Sequence, residues 1–367
     1  MEWKKQNQYN SFNSWKGLLY APQYAKIADG EIPVPIEASI DPVHACNLSC
    51  AHCNAARYIG GDGDAGVEMM TDKHLTDLVD FLAEWGVKAV CYGGGGEPTL
   101  HLGLSSAIKH TVDMGMEVGI ATNGVLLGRP DLLDAMSECC RWVGVSVDSA
   151  KPDTYKELKG QGFFQRVITS IGQLVKASDG KQCEVCYKFL ISSVNQREIF
   201  EACKIAKDLG VRDFHARPAD PHHQGAGEGA GELMMLDVDR VMEEFHRCHQ
   251  IETDAFRVFT VVHKFDENLT PVKNFKQCYG APLAIQICAD GKVYFCVDQR
   301  KRKEFVLGKH VPDPKQILEF WGGEEHKNLV YGDTPYFCKT RCTFGVYAEQ
   351  CEKLFVRGDD PMCWKFT

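Results

Sequence analysis

The stretch "HACNLSCAHC", residues 44–53, gathers three thiols, Cys46, Cys50 and Cys53, within eight residues, and the next cysteine is Cys91. Metal ligation is the chemistry that such a cluster of thiols offers first. A structural zinc site is normally built from paired C-x2-C units with four ligands, and C-x3-C-x2-C fits that pattern poorly. Iron–sulfur clusters are held by cysteine thiolates, and one compact loop can reach three irons of a cubane. The fourth iron then has no protein ligand. A vacant iron position is what a cluster needs if it is to bind and reduce a cofactor or substrate.

A second field of thiols lies between residue 278 and the C-terminus: Cys278, Cys288, Cys296, Cys338, Cys342, Cys351 and Cys363. Packing explains so many thiols in ninety residues of a reduced protein poorly, and metal ligation explains them well. "CYGAPLAIQICADGKVYFC" (278–296) reads as a β-hairpin turning at Asp290-Gly291, with a cysteine at each end. The vicinal pair Cys139-Cys140 ends a helix pattern and reads as packing. Adjacent His222 and His223 sit in the Gly-rich "HHQGAGEGAGE" (222–232) and read as part of a solvated connector rather than a metal site.

These residues need a scaffold, and the sequence supplies an alternating one. Strand patterns occur at 36–40, 88–92, 117–121, 142–147, 183–191 and 213–218. Helical patterns separate them at Thr71–Trp85, Gly103–Met114, Pro130–Cys139, Phe164–Ala177 and Gln196–Leu209. Thr71 followed by Asp72 makes a helix start, and Gly86 a stop. Six successive βα units predict an α/β fold with a parallel sheet or open barrel, whose chemistry gathers at the carboxyl ends of the strands. The thiol loop follows the first strand, "CYGGGGEPTL" (91–100) ends the second, "ATNG" (121–124) the third and "SVDS" (146–149) the fourth. Successive glycines permit positive φ and close approach of a ligand to the backbone.

Composition bounds the alternatives. The 367 residues are 44% hydrophobic and 25% charged, enough for one large domain and a smaller one. A formal charge of −9 disfavours broad nucleic-acid binding. The basic run Arg300-Lys301-Arg302-Lys303 reads as a solvated loop, with docking of an acidic electron donor or anionic substrate as its alternative. There is no apolar run of transmembrane length and no signal-peptide pattern at the start, so no membrane association is expected. An odd total of seventeen cysteines fits reduced thiols in a cytoplasmic protein better than disulfides.

With these residues in place, the chain resembles the radical S-adenosylmethionine (SAM) superfamily, whose C-x3-C-x2-C loop follows the first barrel strand. The resemblance runs from about residue 36 to the C-terminus. It implies a partial (β/α)6 TIM-like barrel with a C-terminal cysteine-rich auxiliary-cluster domain. The expected organisation is an N-terminal extension (1–35), the barrel (36–235), a helical linker (236–277) and the iron–sulfur domain (278–367). The resemblance implies that Cys46, Cys50 and Cys53 hold a [4Fe–4S] cluster whose open iron chelates SAM. One electron then cleaves SAM to methionine and a 5′-deoxyadenosyl radical, which abstracts a substrate hydrogen. His52 stands where relatives often carry an aromatic beside the adenine. Gly95, Gly96, Glu97 and Pro98 match the GGEP element, with Glu97 the implied acceptor for the SAM ammonium. Asn123, Ser146 and Asp148 match positions that contact the ribose or carboxylate. As plain residues, Asn123-Gly124 reads equally as a turn and Ser146 and Asp148 as helix-capping types. Lys188 and Arg217 are candidates for balancing a carboxylate or binding substrate.

Cys278, Gly291 and Cys296 resemble the opening of the SPASM and twitch extensions, which carry two and one auxiliary [4Fe–4S] clusters respectively. The downstream spacing, C-x3-C-x8-C-x11-C, departs from both. In a twitch-like assignment Cys278, Cys296, Cys338 and Cys342 share one cluster. In a SPASM-like one, slightly preferred, Cys338, Cys342, Cys351 and Cys363 close one cluster, and Cys278 and Cys296 begin another. Cys288 is a ligand, a hydrogen-atom donor or a core residue.

The expected activity is hydrogen abstraction leading to oxidative or cross-linking modification of a peptide or protein, fed by a flavodoxin- or ferredoxin-type donor. Dehydrogenation or epimerisation of a sugar or aminocyclitol is the alternative. A non-catalytic iron–sulfur or zinc-binding protein is the reading from a different class.

Overall fold

The computed structural model describes residues 14–53, 55, 59, 68–220, 235–338 and 340–356. All six predicted strands form: β1 (Glu37–Asp41), β2 (Ala89–Tyr92), β3 (Glu117–Thr122), β4 (Cys140–Ser146), β5 (Glu184–Ile191) and β6 (Asp213–Pro218). They pair in sequence order and in parallel. Such a sheet needs a helix on each crossover, and the amphipathic segments provide it. In Phe164–Ala177, the buried Phe164, Val167, Ile171 and Leu174 recur at helical spacing and press on the sheet. Asp72–Trp85 starts where Thr71 Oγ1 accepts a bond from His74 N (3.1 Å) and stops at Gly86, whose φ is +103°.

Four features depart from the sequence expectation. The predicted helical linker 236–277 carries the expected helix, Val238–Gln250, but also a seventh strand, β7 (Arg257–Thr260), parallel to β6. The helix expected from Gln196 begins at Ile199. A further helix, Pro152–Lys159, is too short for its periodicity to stand out, although Pro at its start and Gly160 (φ +73°) at its end mark it. Within the N-terminal extension, Ala21–Ala28 is a helix that buries Tyr24 and Ile27 completely.

The predicted hairpin forms as β8 (Ala284–Cys288) and β9 (Lys292–Tyr294), with Gly291 at φ +77° in its turn. β10 (Val306–Lys309) follows, antiparallel to β9. β8 lies parallel to β1, so the cysteine-rich segment continues the same sheet. The order is β10-β9-β8-β1-β2-β3-β4-β5-β6-β7, an open ten-stranded sheet consistent with a partial TIM-like barrel. The expected boundary at residue 278 therefore falls where one sheet is extended. Among the described residues, no helix is long and apolar enough to cross a membrane.

Candidate functional site

The loop after β1 is held from beneath by the helix that the sequence reading missed. Ser49 N and Ala51 N donate to the carbonyls of Lys159 (3.1 Å) and Leu158 (2.9 Å) at the end of Pro152–Lys159. Gly160 completes the fit, because a β-carbon there would overlap Ser49 Oγ and lie 3.0 Å from Ser49 O. Cys46, Cys50 and Cys53 are all half-buried, and none is in a disulfide. Burial pushes the Cys50 thiol up to about 12, with Cys53 and Cys46 adding to the rise while Lys159 opposes it. Burial also raises Cys46, and Cys53 adds to that shift. Cys53 lies close enough to raise both Cys46 and Cys50, and the three form a donor set that a metal centre, not solvent, would satisfy.

The glycine run after β2 is required by the chain's own packing. A β-carbon on Gly96 would collide with Val43 O and sit 2.5 Å from Ala45 O, while Glu97 N donates to Ala45 O at 2.7 Å. On Gly95 it would lie 2.7 Å from Asp41 Oδ2 and 3.0 Å from His44 Nε2. The glycines thus let the β2 loop close on the segment that leads into the thiols.

Glu97 is 2% exposed. Its Oε1 accepts from Thr99 N (3.1 Å), Thr99 Oγ1 (2.5 Å) and Thr122 Oγ1 (2.6 Å), and its Oε2 from Asn123 N (2.7 Å). Burial still raises its pKa against these four bonds. Oε2, with one protein donor, has capacity left for a cationic ligand. Asn123 in turn donates from Nδ2 to Asn47 Oδ1 (2.7 Å) and reaches Cys46 Sγ at 3.6 Å. Glu97 and Asn123 therefore link the second and third strand ends to the thiol loop.

Asp148 is the tightest node. It is fully buried at φ +61°, a backbone conformation that non-glycine residues seldom adopt. Asn195 Nδ2 donates to its carbonyl (2.7 Å), and Leu190 N donates to its Oδ1 (2.7 Å). Its Oδ2 pairs with Lys159 Nζ and lies 3.2 Å from His52 Nε2. Burial alone would raise this carboxyl, but the Lys159 charge and the His52 bond hold it well below the ordinary range. His52 is thereby fixed beside Cys53 in the chain, with Asp148 setting its ring. Ser146, half-buried, lies opposite Lys188 across the β4–β5 pair.

The second thiol field separates into two places. Cys278, Cys296, Cys338 and Cys342 line one cavity together with Phe275, Phe295 and Gln299. Gln299 Nε2 donates to Cys338 Sγ at 3.0 Å. Burial raises Cys342 to about 12 and lifts Cys278 and Cys296 well above the usual thiol range, with neighbouring thiols of the same set adding to each shift. Four soft donors on one cavity, without a disulfide, match the ligand set of a single cubane. Cys351 stands elsewhere: fully buried in the helix Gly345–Leu354, it donates to Tyr24 O at 3.7 Å. Cys363, His222 and His223 fall outside the described residues.

Cys288 belongs to neither set. It ends β8 opposite Asp41, fully buried, donating to Asp41 Oδ2 (3.6 Å) and accepting from Gln286 Nε2 (3.3 Å). The basic run is not a uniformly solvated loop. Arg300 lies 2.7 Å from Asp41 Oδ2, and Lys301 bonds Glu68 Oε2 at 2.6 Å; each side chain is only 12% exposed. Lys188 packs across Gly144 with Nζ 5.0 Å from the Trp142 ring centre, and Arg217 Nη1 donates to Pro218 O at 3.3 Å. Sequence reasoning overlooked Lys159, Asp41 and His44. Lys159 had a signal in the Pro152…Gly160 helix punctuation, whereas Asp41 and His44 are identified only by tertiary contact.

Residues 40–217 match the radical SAM superfamily. The "AdoMet-dependent heme synthase" of Methanosarcina barkeri is 28% identical over 224 residues, covering 60% of this chain and 60% of that protein. The match thus spans less than two thirds of that relative. A "Probable GTP 3′,8-cyclase" of Saccharolobus solfataricus is 27% identical over 286 residues, 75% of this chain and 88% of that protein. Among solved structures, Streptococcus suis SuiB bound to precursor peptide SuiA superposes with a TM-score of 0.61 at 16% identity, covering 89% of this chain and 74% of that one. The anSMEcpe structure with bound AdoMet and Cp18Cys peptide gives 0.59 at 17% identity, covering 81% and 82%. At these identities the superpositions establish the shared fold.

Proposed function

Because residues 40–217 match the radical SAM superfamily, we propose that the chain is a SAM-cleaving enzyme with one auxiliary iron–sulfur cluster and that it oxidatively modifies a peptide or protein. Cys46, Cys50 and Cys53 would hold the SAM-binding [4Fe–4S] cluster, and Cys278, Cys296, Cys338 and Cys342 the auxiliary one. The carrying observation is the partition of the thiols. Three converge on the β1 loop, four line one separate cavity, and Cys351 sits apart against Tyr24. That partition supports the twitch-like count over the SPASM-like one. The functional units proposed are the barrel and the cysteine-rich segment that extends its sheet, with 236–277 joining them.

When bound, the clusters and SAM supply one-electron reduction, a carbon radical that takes hydrogen from substrate, and an acceptor for the electron left behind. The chain's own residues orient and exclude water. Glu97, pinned by Thr99 and Thr122, aligns Asn123 with Cys46 and keeps one oxygen for an ammonium. Asp148 holds His52 in place and neutralises Lys159 beside Cys50. Ser146 and Asp148 at the β4 end stand for the ribose or carboxylate contact. A flavodoxin- or ferredoxin-type donor is the required electron partner, and a reducing cytoplasm is the setting that unpaired thiols suit.

The peptide reading draws support from the fold shared with SuiB and anSMEcpe, whose structures hold peptides. A small-molecule substrate is the second reading, favoured by the names of the sequence relatives, a heme synthase and a GTP cyclase. Two measurements on anaerobically reconstituted protein test the proposal. Wild type should contain about eight irons, and the variant Cys46→Ala/Cys50→Ala/Cys53→Ala about four. Dithionite-reduced wild type should form 5′-deoxyadenosine from SAM. Stoichiometric zinc in place of iron, or no 5′-deoxyadenosine, would sink the reading. Faster 5′-deoxyadenosine formation with a short precursor-type peptide than with nucleotides would select the peptide class.

A further inference from the structure

β5 and β6 turn an unusual set of side chains toward the inside of the open sheet. Lys188 and His215 are register partners, and Arg217, two residues beyond His215, shares their face. Gly144 on β4 makes room for this: a β-carbon there would overlap Lys188 Cε and come within 2.7 Å of Nζ. Two more cations approach from the C-terminal half of the chain. Lys264 follows β7 and donates to Thr343 O (3.1 Å), and Arg341 leans on Thr343 Oγ1 (3.4 Å). His215 feels all four of these cations.

None of the four makes an ion pair with a described carboxylate. Their bonds go to the carbonyls of Pro218 and Thr343, a threonine hydroxyl and the Trp142 face. Arg341 Nε is buried with no acceptor among the described residues. The nearby acids are engaged by other donors. Asp298 accepts from Thr343 N (2.7 Å) and Thr343 Oγ1 (2.8 Å), Asp220 from Arg341 N (2.7 Å), and Asp148 from Lys159. The contrast with Arg300, 2.7 Å from Asp41 Oδ2, and Lys301, 2.6 Å from Glu68 Oε2, is direct. Half-buried cations held by neutral acceptors, in a chain of net charge −9, are a local electrostatic excess that a bound anion would neutralise.

We propose that Lys188, Arg217, Lys264 and Arg341 form a binding site for an anionic group, a carboxylate or phosphate, carried by the substrate. This rests on the reading that substrate is held between the two thiol sets. Arg217 feels both Asp148, on the side of the first set, and Asp298, two residues after Cys296. An anion at Arg217 would therefore anchor a substrate between them. Burial, reinforced by Arg341, lowers Arg217 to about 9, which is the electrostatic mark of cations crowded without enough counter-charge.

The test is calorimetric titration of anaerobically reconstituted full-length protein, saturated with SAM, using glutarate, inorganic phosphate and neutral glutaramide as probes. Glutarate or phosphate should bind and glutaramide should not. Preference for glutarate assigns a carboxylate, and preference for phosphate a phosphoryl group. Arg217→Gln and Lys188→Gln should each weaken the preferred anion at least tenfold, Arg217→Lys should recover part of the loss, and Lys353→Gln, on the exposed end of a surface pair, should leave it unchanged. Far-UV circular dichroism confirms that each variant is folded. Equal binding of glutaramide, no binding of either anion, or wild-type affinity in folded Arg217→Gln and Lys188→Gln would overturn the proposal. So would anion binding that SAM abolishes, because the cations would then serve the cofactor's own carboxylate. Formation of 5′-deoxyadenosine by wild type, measured separately, reports on the radical SAM reading whatever the titration gives.

Discussion

The two thiol sets are built on opposite principles. Cys46, Cys50 and Cys53 come from one loop, so local sequence gives their spacing, but their position depends on distant supports: Lys159, Asp148, Asn123 and the Gly95–Gly96 turn. Cys278, Cys296, Cys338 and Cys342 come from three separate stretches and meet only because the sheet brings β8 beside β1 and folds the last helices over it. Holding the proposed cluster, a loop of three thiols would leave one direction for chemistry. A cavity of four thiols would close the donor set and leave electron transfer as its natural role.

The most severe test of this contrast removes one ligand from each set. Cys50→Ala should abolish 5′-deoxyadenosine formation with loss of about four irons. Cys342→Ala should remove the other four yet leave SAM cleavage without substrate measurable. Cys351→Ala should change neither iron content nor SAM cleavage, costing only about 1 kcal/mol of packing. Twelve irons in wild type, or iron loss in Cys351→Ala, would break the twitch-like assignment in favour of two auxiliary clusters.

The support of the open loop is the next target. Asp148→Ala would leave Lys159 charged and fully buried beside Cys50, a loss of about 3–5 kcal/mol for an orphaned buried ion. The double change Asp148→Asn/Lys159→Met should recover much of that in urea denaturation, while still freeing His52. If the single variant is as stable as wild type, the buried pair is not what holds the loop.

How far the sequence carried the reader differs between the sets for the same reason. The triad, the GGEP element and the six strands could be read because each is local: a spacing, a turn chemistry, a period. The strand β7 was missed because Arg257–Thr260 is four residues long, too short for periodicity to register. For the seven C-terminal cysteines the sequence left two assignments, and its slight preference for the SPASM-like one was not the set that the cavity gathers. Cys351 and Cys342 look alike in sequence, and only the burial of one against Tyr24 and the other on the shared cavity separates them. The inward turn of Arg300 and Lys301 was hidden likewise, since a run of four cations reads as solvated until Asp41 and Glu68 are seen opposite.

The seam between the two halves should be sensitive to acid. His310, which follows β10, donates from Nε2 to Cys288 O (2.9 Å) and meets His74 Nε2 across the seam with its Nδ1 (2.8 Å), and burial lowers it to about 4. The unfolded chain binds a proton at this site below about 6.5 and the folded chain does not, so protons favour unfolding in the window between. Stability contributed by neutral His310 is complete above pH 6.5 and falls as pH drops toward 4, by about 3 kcal/mol at most. Replacing it, as in His310→Gln, should flatten the urea midpoint over that interval. An unchanged pH slope would mean that the seam does not titrate through this ring.

The finest probe compares two glycines with nearly the same backbone. Gly160 has φ +73° and Gly180 φ +71°, so alanine at either position incurs a left-handed conformation costing about 1 kcal/mol. Only Gly160 also faces the thiol loop, where the new methyl group would overlap Ser49 Oγ; nothing lies within 4 Å of the corresponding point on Gly180. Backbone strain is thus common to both variants, and contact with the loop belongs to one. Gly180→Ala should lose about 1 kcal/mol and keep all its iron. Gly160→Ala should lose somewhat more and also reconstitute with fewer than eight irons, because Ser49 lies next to Cys50 and must move. Equal iron in the two variants would show that the loop tolerates displacement, and that its three thiols are placed by the metal they bind more than by the helix beneath them.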